Sequence, residues 1–209
     1  TFIGSALIVL NFIRKVPTEA LVFGVVLVAV LSPVLQEISD YYAYWINGYF
    51  EYDFILSDVV LGYLVTGYFP IFPWIIFPVT GFILSPLLFS STTNPSHGPQ
   101  SSRTVLVACL SIGCIAASLL LQQITFLPPL IYRRTMFPAS SSYLLGAIGV
   151  SALSLFVLHS IVDKKGDKKN CSPTFESLAT WFRVVSKHSL SIYLLHHVIH
   201  LWPLWLYGL

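Results

Sequence analysis

A chain of 209 residues that is 56% hydrophobic and 10% charged, with a mean hydropathy of +0.78, falls outside the ordinary soluble class, in which about a quarter of residues are charged. Its formal net charge of +2 is small, and its distribution along the chain matters more than its size; no nucleic-acid partner is expected. Composition alone points to a polytopic membrane protein, with the lipid bilayer as its first expected partner.

A spanning helix needs about 20 apolar residues, and runs of that order recur along the chain. The first, 1–13, is shorter and opens at Thr1 with neither a methionine nor a basic flank, so it is expected to continue upstream. Arg14 and Lys15 follow it, and a second run occupies 20–35. Residues 36–58 then mix Glu37, Asp40, Glu51, Asp53 and Asp58 with Tyr41, Tyr44, Trp45, Tyr49 and Tyr52. This is an interfacial loop, because rings with an apolar body and a polar edge gather at headgroup level. A short helix lying flat is expected at 54–65, with Asp58 as the acid turned inward.

The stretch Gly67-Tyr-Phe-Pro-Ile-Phe-Pro-Trp74 opens the third run, 68–89. Proline fits the first helical turn, where the amide hydrogen has no partner anyway, so a broken helix re-entering the membrane is expected there. Residues 90–102 are rich in Ser, Thr, Pro and Gly and form a loop. Runs at 104–121 and 141–162 are separated by Tyr132-Arg-Arg-Thr-Met-Phe-Pro-Ala-Ser-Ser-Ser-Tyr143. Cys109 and Cys114 sit five apart on one run and point to different faces, and with Cys171 they make neither a disulfide framework nor a zinc site. A basic loop, 163–187, contains Lys164-Lys-Gly-Asp-Lys-Lys169 and precedes the last run, 189–206.

About six spans result, the first incomplete. Period-two alternation is absent, which excludes a membrane barrel. The expected fold is an all-α polytopic transmembrane bundle in one domain, 1–209, with a broken or interfacial helix before the third full span. Alternating spans put Arg14, Lys15, Arg103, Lys164, Lys165, Lys168, Lys169, Arg183 and Lys187 on one side, nine of the eleven Lys and Arg. The positive-inside rule makes that side cytoplasmic. The sequon Asn170-Cys-Ser172 is then expected to go unused, and Arg133 and Arg134 share the outer side with the acidic loop 36–58.

The last run carries the chemistry. On a helix, Ser189, Tyr193, His196 and His200 fall at i, i+4, i+7 and i+11 and make one polar stripe on a Leu, Ile and Val surface. Ionisable groups at membrane depth must line a cavity or find partners. The stripe is therefore either a functional site or a set of hydrogen bonds that fixes helix packing. His196 and His200 could share a metal, but no third ligand is evident and none is expected.

Four segments in this order, Tyr68-Phe-Pro-Ile-Phe-Pro-Trp74, Arg134-Thr-Met-Phe-Pro-Ala-Ser-Ser-Ser-Tyr143, Ile161-Val-Asp-Lys-Lys-Gly166 and Ser189-Leu-Ser-Ile-Tyr-Leu-Leu-His196, resemble the C-terminal half of the heparan-α-glucosaminide N-acetyltransferase-like transmembrane acyltransferases. The YeiB-like proteins of bacteria are relatives of that family. The resemblance runs from about Asp58 to the end. It implies transfer of an acyl group, usually acetyl, from acyl-CoA on the cytoplasmic side to an amine or hydroxyl of a sugar-like acceptor on the other. His196 matches the histidine that ends the family's last-helix motif, and Pro70, Pro73 and Trp74 match its proline-tryptophan turn. The histidine usually assigned to catalysis lies in the family's N-terminal half, so these 209 residues alone are expected to be inactive. His197 and His200 match no family position.

Acyl transfer needs a base for the acceptor and donors for the oxyanion. A neutral imidazole suits the first task, and an arginine suits a phosphate or carboxylate. The expected catalytic residues are His196 and Asp58. Arg133, Arg134, Tyr193, His197, His200 and Trp74 are expected to bind substrate, in an outer pocket rimmed by Asp58 and Arg134 and floored by His196. Plain ion pairs with the acidic loop remain the alternative for the arginines. The cytoplasmic basic residues either attract coenzyme A phosphates or only set topology. The competing functions are a non-catalytic membrane subunit, a small transporter, for which an internal repeat would be the sign, and a degenerate acyltransferase scaffold. The sequence leaves a homo-oligomer or a partner membrane subunit open.

Overall fold

The computed structural model describes residues 2–46, 49–51, 53, 55–89 and 100–162, together with 177, 180, 181, 184–188, 191 and 195. The chain forms two compact units, Thr1–Ser160 and Ile161–Leu209.

In the first unit the apolar runs become α1 (Phe2–Ile13), α2 (Thr18–Ile38), α3 (Leu56–Leu61), α4 (Ile71–Trp74), α5 (Ile76–Phe89), α6 (Gln100–Leu121), α7 (Pro129–Tyr132) and α8 (Ser141–Val162). The only strands among the described residues are β1 (Trp45–Ile46) and β2 (Tyr49–Phe50), a two-residue antiparallel pairing. Four helical segments are long and apolar enough to cross a membrane: Thr18–Ile38, Leu56–Phe89, Arg103–Leu121 and Ser141–Ser160. The 12 residues of α1 span about 18 Å at 1.5 Å per residue, short of a hydrocarbon core of about 30 Å. Of the expected sixth span, 189–206, only Ser191 and Leu195 are among the described residues.

Large apolar side chains cover the outside of these helices. Phe23 is 67% exposed, Phe12 76% and Leu120 66%, exposures that water would penalise and lipid does not. Inside, Ala6, Leu21, Ile75 and Val79 join α1, α2 and α5, while Ile76, Ala139 and Leu144 join α5 to the start of α8. Lipid supplies no hydrophobic drive between helices, so hydrogen bonds and close packing of small residues must hold them. Pro33 lies inside α2 and removes the amide that would bond the Ala29 carbonyl. The Ser141 hydroxyl donates to that carbonyl from the first turn of α8, at 3.5 Å. Between α6 and α8 the bonding is reciprocal: Ser118 Oγ donates to the Ser142 carbonyl at 2.7 Å, and Ser142 Oγ to the Ser118 carbonyl at 3.3 Å.

Two turns further along that seam, Gly149 lets the two backbones touch. A Cβ on Gly149 would lie 2.7 Å from the Ser111 carbonyl oxygen and 2.7 Å from Ile115 Cγ1. Gly149→Val is therefore expected to destabilise the unit by about 1–3 kcal/mol through overpacking. Gly113→Ala, whose Cβ meets nothing within 4 Å, should hold or raise stability by removing backbone freedom. Thermal unfolding in detergent compares the two, and equal Tm values would refute the tight seam.

The structure shifts two expected boundaries. The outer loop was to begin at Gln36, but α2 runs on to Ile38 and buries that side chain at 1% exposure. The flat helix at 54–65 divides into α3 and a π-helical turn, Gly62–Thr66. In the second unit, the His188 amide donates to the Val184 carbonyl at 3.1 Å, and Ser191 and Leu195 are helical and exposed.

Candidate functional site

Three turns build one cluster of rings. The first follows α2, where Asp40 takes a left-handed conformation (φ 47°) that short polar side chains tolerate. The chain reverses there into a 3₁₀ turn, Tyr41–Tyr44, and then β1. The Trp45 indole N–H donates to the Thr66 carbonyl at 3.2 Å, which ties this loop to the second turn. That second turn closes where the Gly67 amide donates to the Gly62 carbonyl at 2.9 Å, and a Cβ on Gly67 would overlap the same carbonyl. Only glycine allows so close an approach.

The third turn is the Arg134–Tyr143 stretch. Its Thr135 hydroxyl donates to the Pro138 carbonyl at 2.9 Å, and the Ser140 amide to the Thr135 carbonyl at 3.1 Å. Ser140 Oγ then accepts from the Tyr143 amide at 3.1 Å, the bond by which a serine caps a helix. The run of three serines thus starts α8 and holds Phe137 in place.

Phe137 is the hub. It stacks on Trp45 (5.5 Å, 22°), meets the edges of Tyr68 (5.9 Å) and Phe69 (5.8 Å), and lies 6.3 Å from Trp74. Trp74 also packs on Phe69 (4.9 Å) and Phe77 (5.6 Å). Tyr41 stacks on the other side of the cluster against Trp45 (5.6 Å, 14°). Each such pair contributes about 0.5–1.5 kcal/mol beyond its buried area. Burial pushes the Tyr41 phenol well above its ordinary range.

Two buried polar atoms near these turns have no partner among the described residues: Thr66 Oγ1, on the residue whose carbonyl holds Trp45, and Gln36 Oε1, on the last turn of α2. Both side chains are at most 1% exposed. A buried polar group left unpaired costs about 1–3 kcal/mol, and native proteins leave few of them. An aromatic wall with a few convergent polar groups is the usual lining of a small-molecule site.

Of the residues expected from sequence to act, Trp74 belongs to this cluster. Asp58 is half-buried in the first turn of α3 and accepts from the Ser57 hydroxyl at 3.3 Å. Arg133 and Arg134 follow α7, are exposed, and form no ion pair among the described residues. Ser189, Tyr193, His196, His197 and His200 lie outside the described residues. Trp45, Phe137, Gln36 and Thr66 were not expected as site residues. The pairing of Phe137 with Pro138 was the one available signal, because the same aromatic-proline pattern recurs at Phe69-Pro70 and Phe72-Pro73. No group of three His, Cys, Asp or Glu side chains that could hold a metal occurs among the described residues. No protein-family model, curated protein or solved structure matches this chain.

Proposed function

We propose that this chain is part of a membrane acyltransferase that moves an acyl group, acetyl in the simplest case, from acyl-CoA to an amine or hydroxyl of a sugar-like acceptor. One observation carries the proposal. The first two segments of the acyltransferase resemblance, 68–74 and 134–143, lie far apart in sequence, yet Phe137 packs on Tyr68, Phe69 and Trp74. Segments that share a site should meet.

In this proposal the aromatic cluster is the acceptor side. The rings of Tyr68 and Phe69, which are exposed, receive the apolar face of a sugar. The acceptor nitrogen or oxygen attacks the thioester carbonyl, the carbon–sulfur bond breaks, and the thiol leaves. The roles expected from sequence stay with the proposal: His196 and Asp58 are its catalytic residues, with His196 taking the acceptor's proton, and Arg133, Arg134, Tyr193, His197 and His200 are its substrate-binding residues. The fold has about six spans, with the 163–187 loop cytoplasmic and the 36–58 loop outside.

Transfer is tested with the complete purified protein, radiolabelled acetyl-CoA and glucosamine. Label on the amine is expected. Folded protein that transfers no label to amine or hydroxyl acceptors would remove the enzyme from consideration in favour of a non-catalytic subunit. Sidedness is tested separately with single cysteines at Asp53 and Lys168 in a cysteine-free background. A membrane-impermeant maleimide should label the first only from outside and the second only from the cytoplasm. Labelling of both from one side would refute the topology.

A further inference from the structure

A second feature lies at the opposite ends of α2 and α5 from the aromatic cluster and does not depend on acyl transfer. A cavity of about 420 Å³ opens between the α1–α2 turn and the last turns of α5. Its mouth carries the Arg14 guanidinium and the hydroxyls of Thr18 and Ser85, and its floor is Leu21, Phe82 and Ile83. Leu21 also lines a second cavity of about 170 Å³, with Ile13, Gly24, Val25, Val28 and Ile75. The two are neighbours across Leu21, one with a cationic, hydroxyl-bearing lining and the other apolar, and we take them as the two ends of one groove.

Arg14 is exposed and forms no ion pair among the described residues. Lys15 stands beside it, and Glu19 is the one acid in the first turn of α2, so the mouth keeps a positive balance. A guanidinium and two hydroxyls at the water boundary match a phosphate. The tail of the groove matches an alkyl chain, since no polar group interrupts it. Gly24 keeps that tail open: a Cβ there meets nothing within 4 Å.

We propose that this groove binds an anionic phospholipid, with the phosphate at Arg14, Thr18 and Ser85 and one acyl chain along Leu21, Gly24 and Val28. A free phosphate would leave the apolar half unfilled, and a zwitterionic headgroup would set its ammonium against the positive balance of Arg14 and Lys15.

Native mass spectrometry of the purified protein, offered equal amounts of phosphatidylglycerol and phosphatidylcholine with identical chains, tests this. Phosphatidylglycerol should be retained about fivefold or more over phosphatidylcholine, the preference one basic residue near a membrane surface confers. Arg14→Gln should abolish the preference while leaving total lipid binding, and since Arg14 is exposed this variant carries the test without touching packing. Gly24→Leu, which fills the tail, should reduce retention of both lipids severalfold. Equal retention by the wild type, or a preference that survives Arg14→Gln, would overturn the proposal. A dimer that Gly24→Leu dissociates would also overturn it, because a second copy would then cover the groove.

Discussion

His196→Ala is expected to lower acyl transfer by about 100-fold to 10,000-fold, the contribution of a positioned general base, while acetyl-CoA binding survives. The expectation follows from where the residue stands in sequence. His196 ends the Ser189–His196 segment, and on a helix it would share one stripe with Tyr193 and His200, three groups that must then avoid lipid. An imidazole that only packs would move stability more than turnover. Rates per folded protein, with Tm measured on the same samples, separate the two. Unchanged transfer at unchanged Tm would take His196 out of the mechanism, and a fall in Tm with turnover preserved would make it a packing residue.

The spanning helices are legible in sequence because a run of about 20 apolar residues has few choices in lipid. Its backbone must bond internally, and a helix does so within one segment. Hence 141–162 reads as one helix, and α8 covers Ser141–Val162. Boundaries beside polar residues are less legible. Gln36 reads as loop because it is polar at the end of an apolar run, but its side chain is buried and the helix continues past it. The two cavities along α1, α2 and α5 are also not readable, because Leu21, Gly24 and Val28 are ordinary members of an apolar run until α5 packs against them. The aromatic cluster is legible only in its parts. Trp74 and its prolines mark themselves, whereas the stacking of Phe137 on Trp45 depends on the turn that Thr135 and Ser140 close and on the bond from Trp45 to Thr66. Pairings of that kind rest on tertiary geometry that no local pattern encodes.

Phe137→Ala is expected to destabilise the first unit by about 3 kcal/mol, the lower end of the cost of truncating a packed phenylalanine, because Phe137 is half-buried rather than fully enclosed. The loss has a specific shape. Phe137 meets Trp45, Tyr68, Phe69 and Trp74, so its removal leaves a gap among four rings, one on the loop after α2 and three on the 68–74 segment. The surrounding backbone keeps its own hydrogen bonds, from Trp45 to Thr66 and from the Tyr143 amide to Ser140, and therefore the rings cannot all move in to fill it. If the cluster also receives the acceptor, the KM for glucosamine should rise by more than the KM for acetyl-CoA, with kcat less affected, because truncation removes binding surface and not the base. Phe137→Tyr keeps the ring and should restore most of both stability and acceptor KM. Tm in detergent and steady-state kinetics on the three proteins decide between the roles. A Tm unchanged by Phe137→Ala would show that Phe137 is not the hub of the cluster. A lowered Tm with both KM values unchanged would leave the cluster a structural clasp between α2, α4 and α8 and place acceptor binding elsewhere.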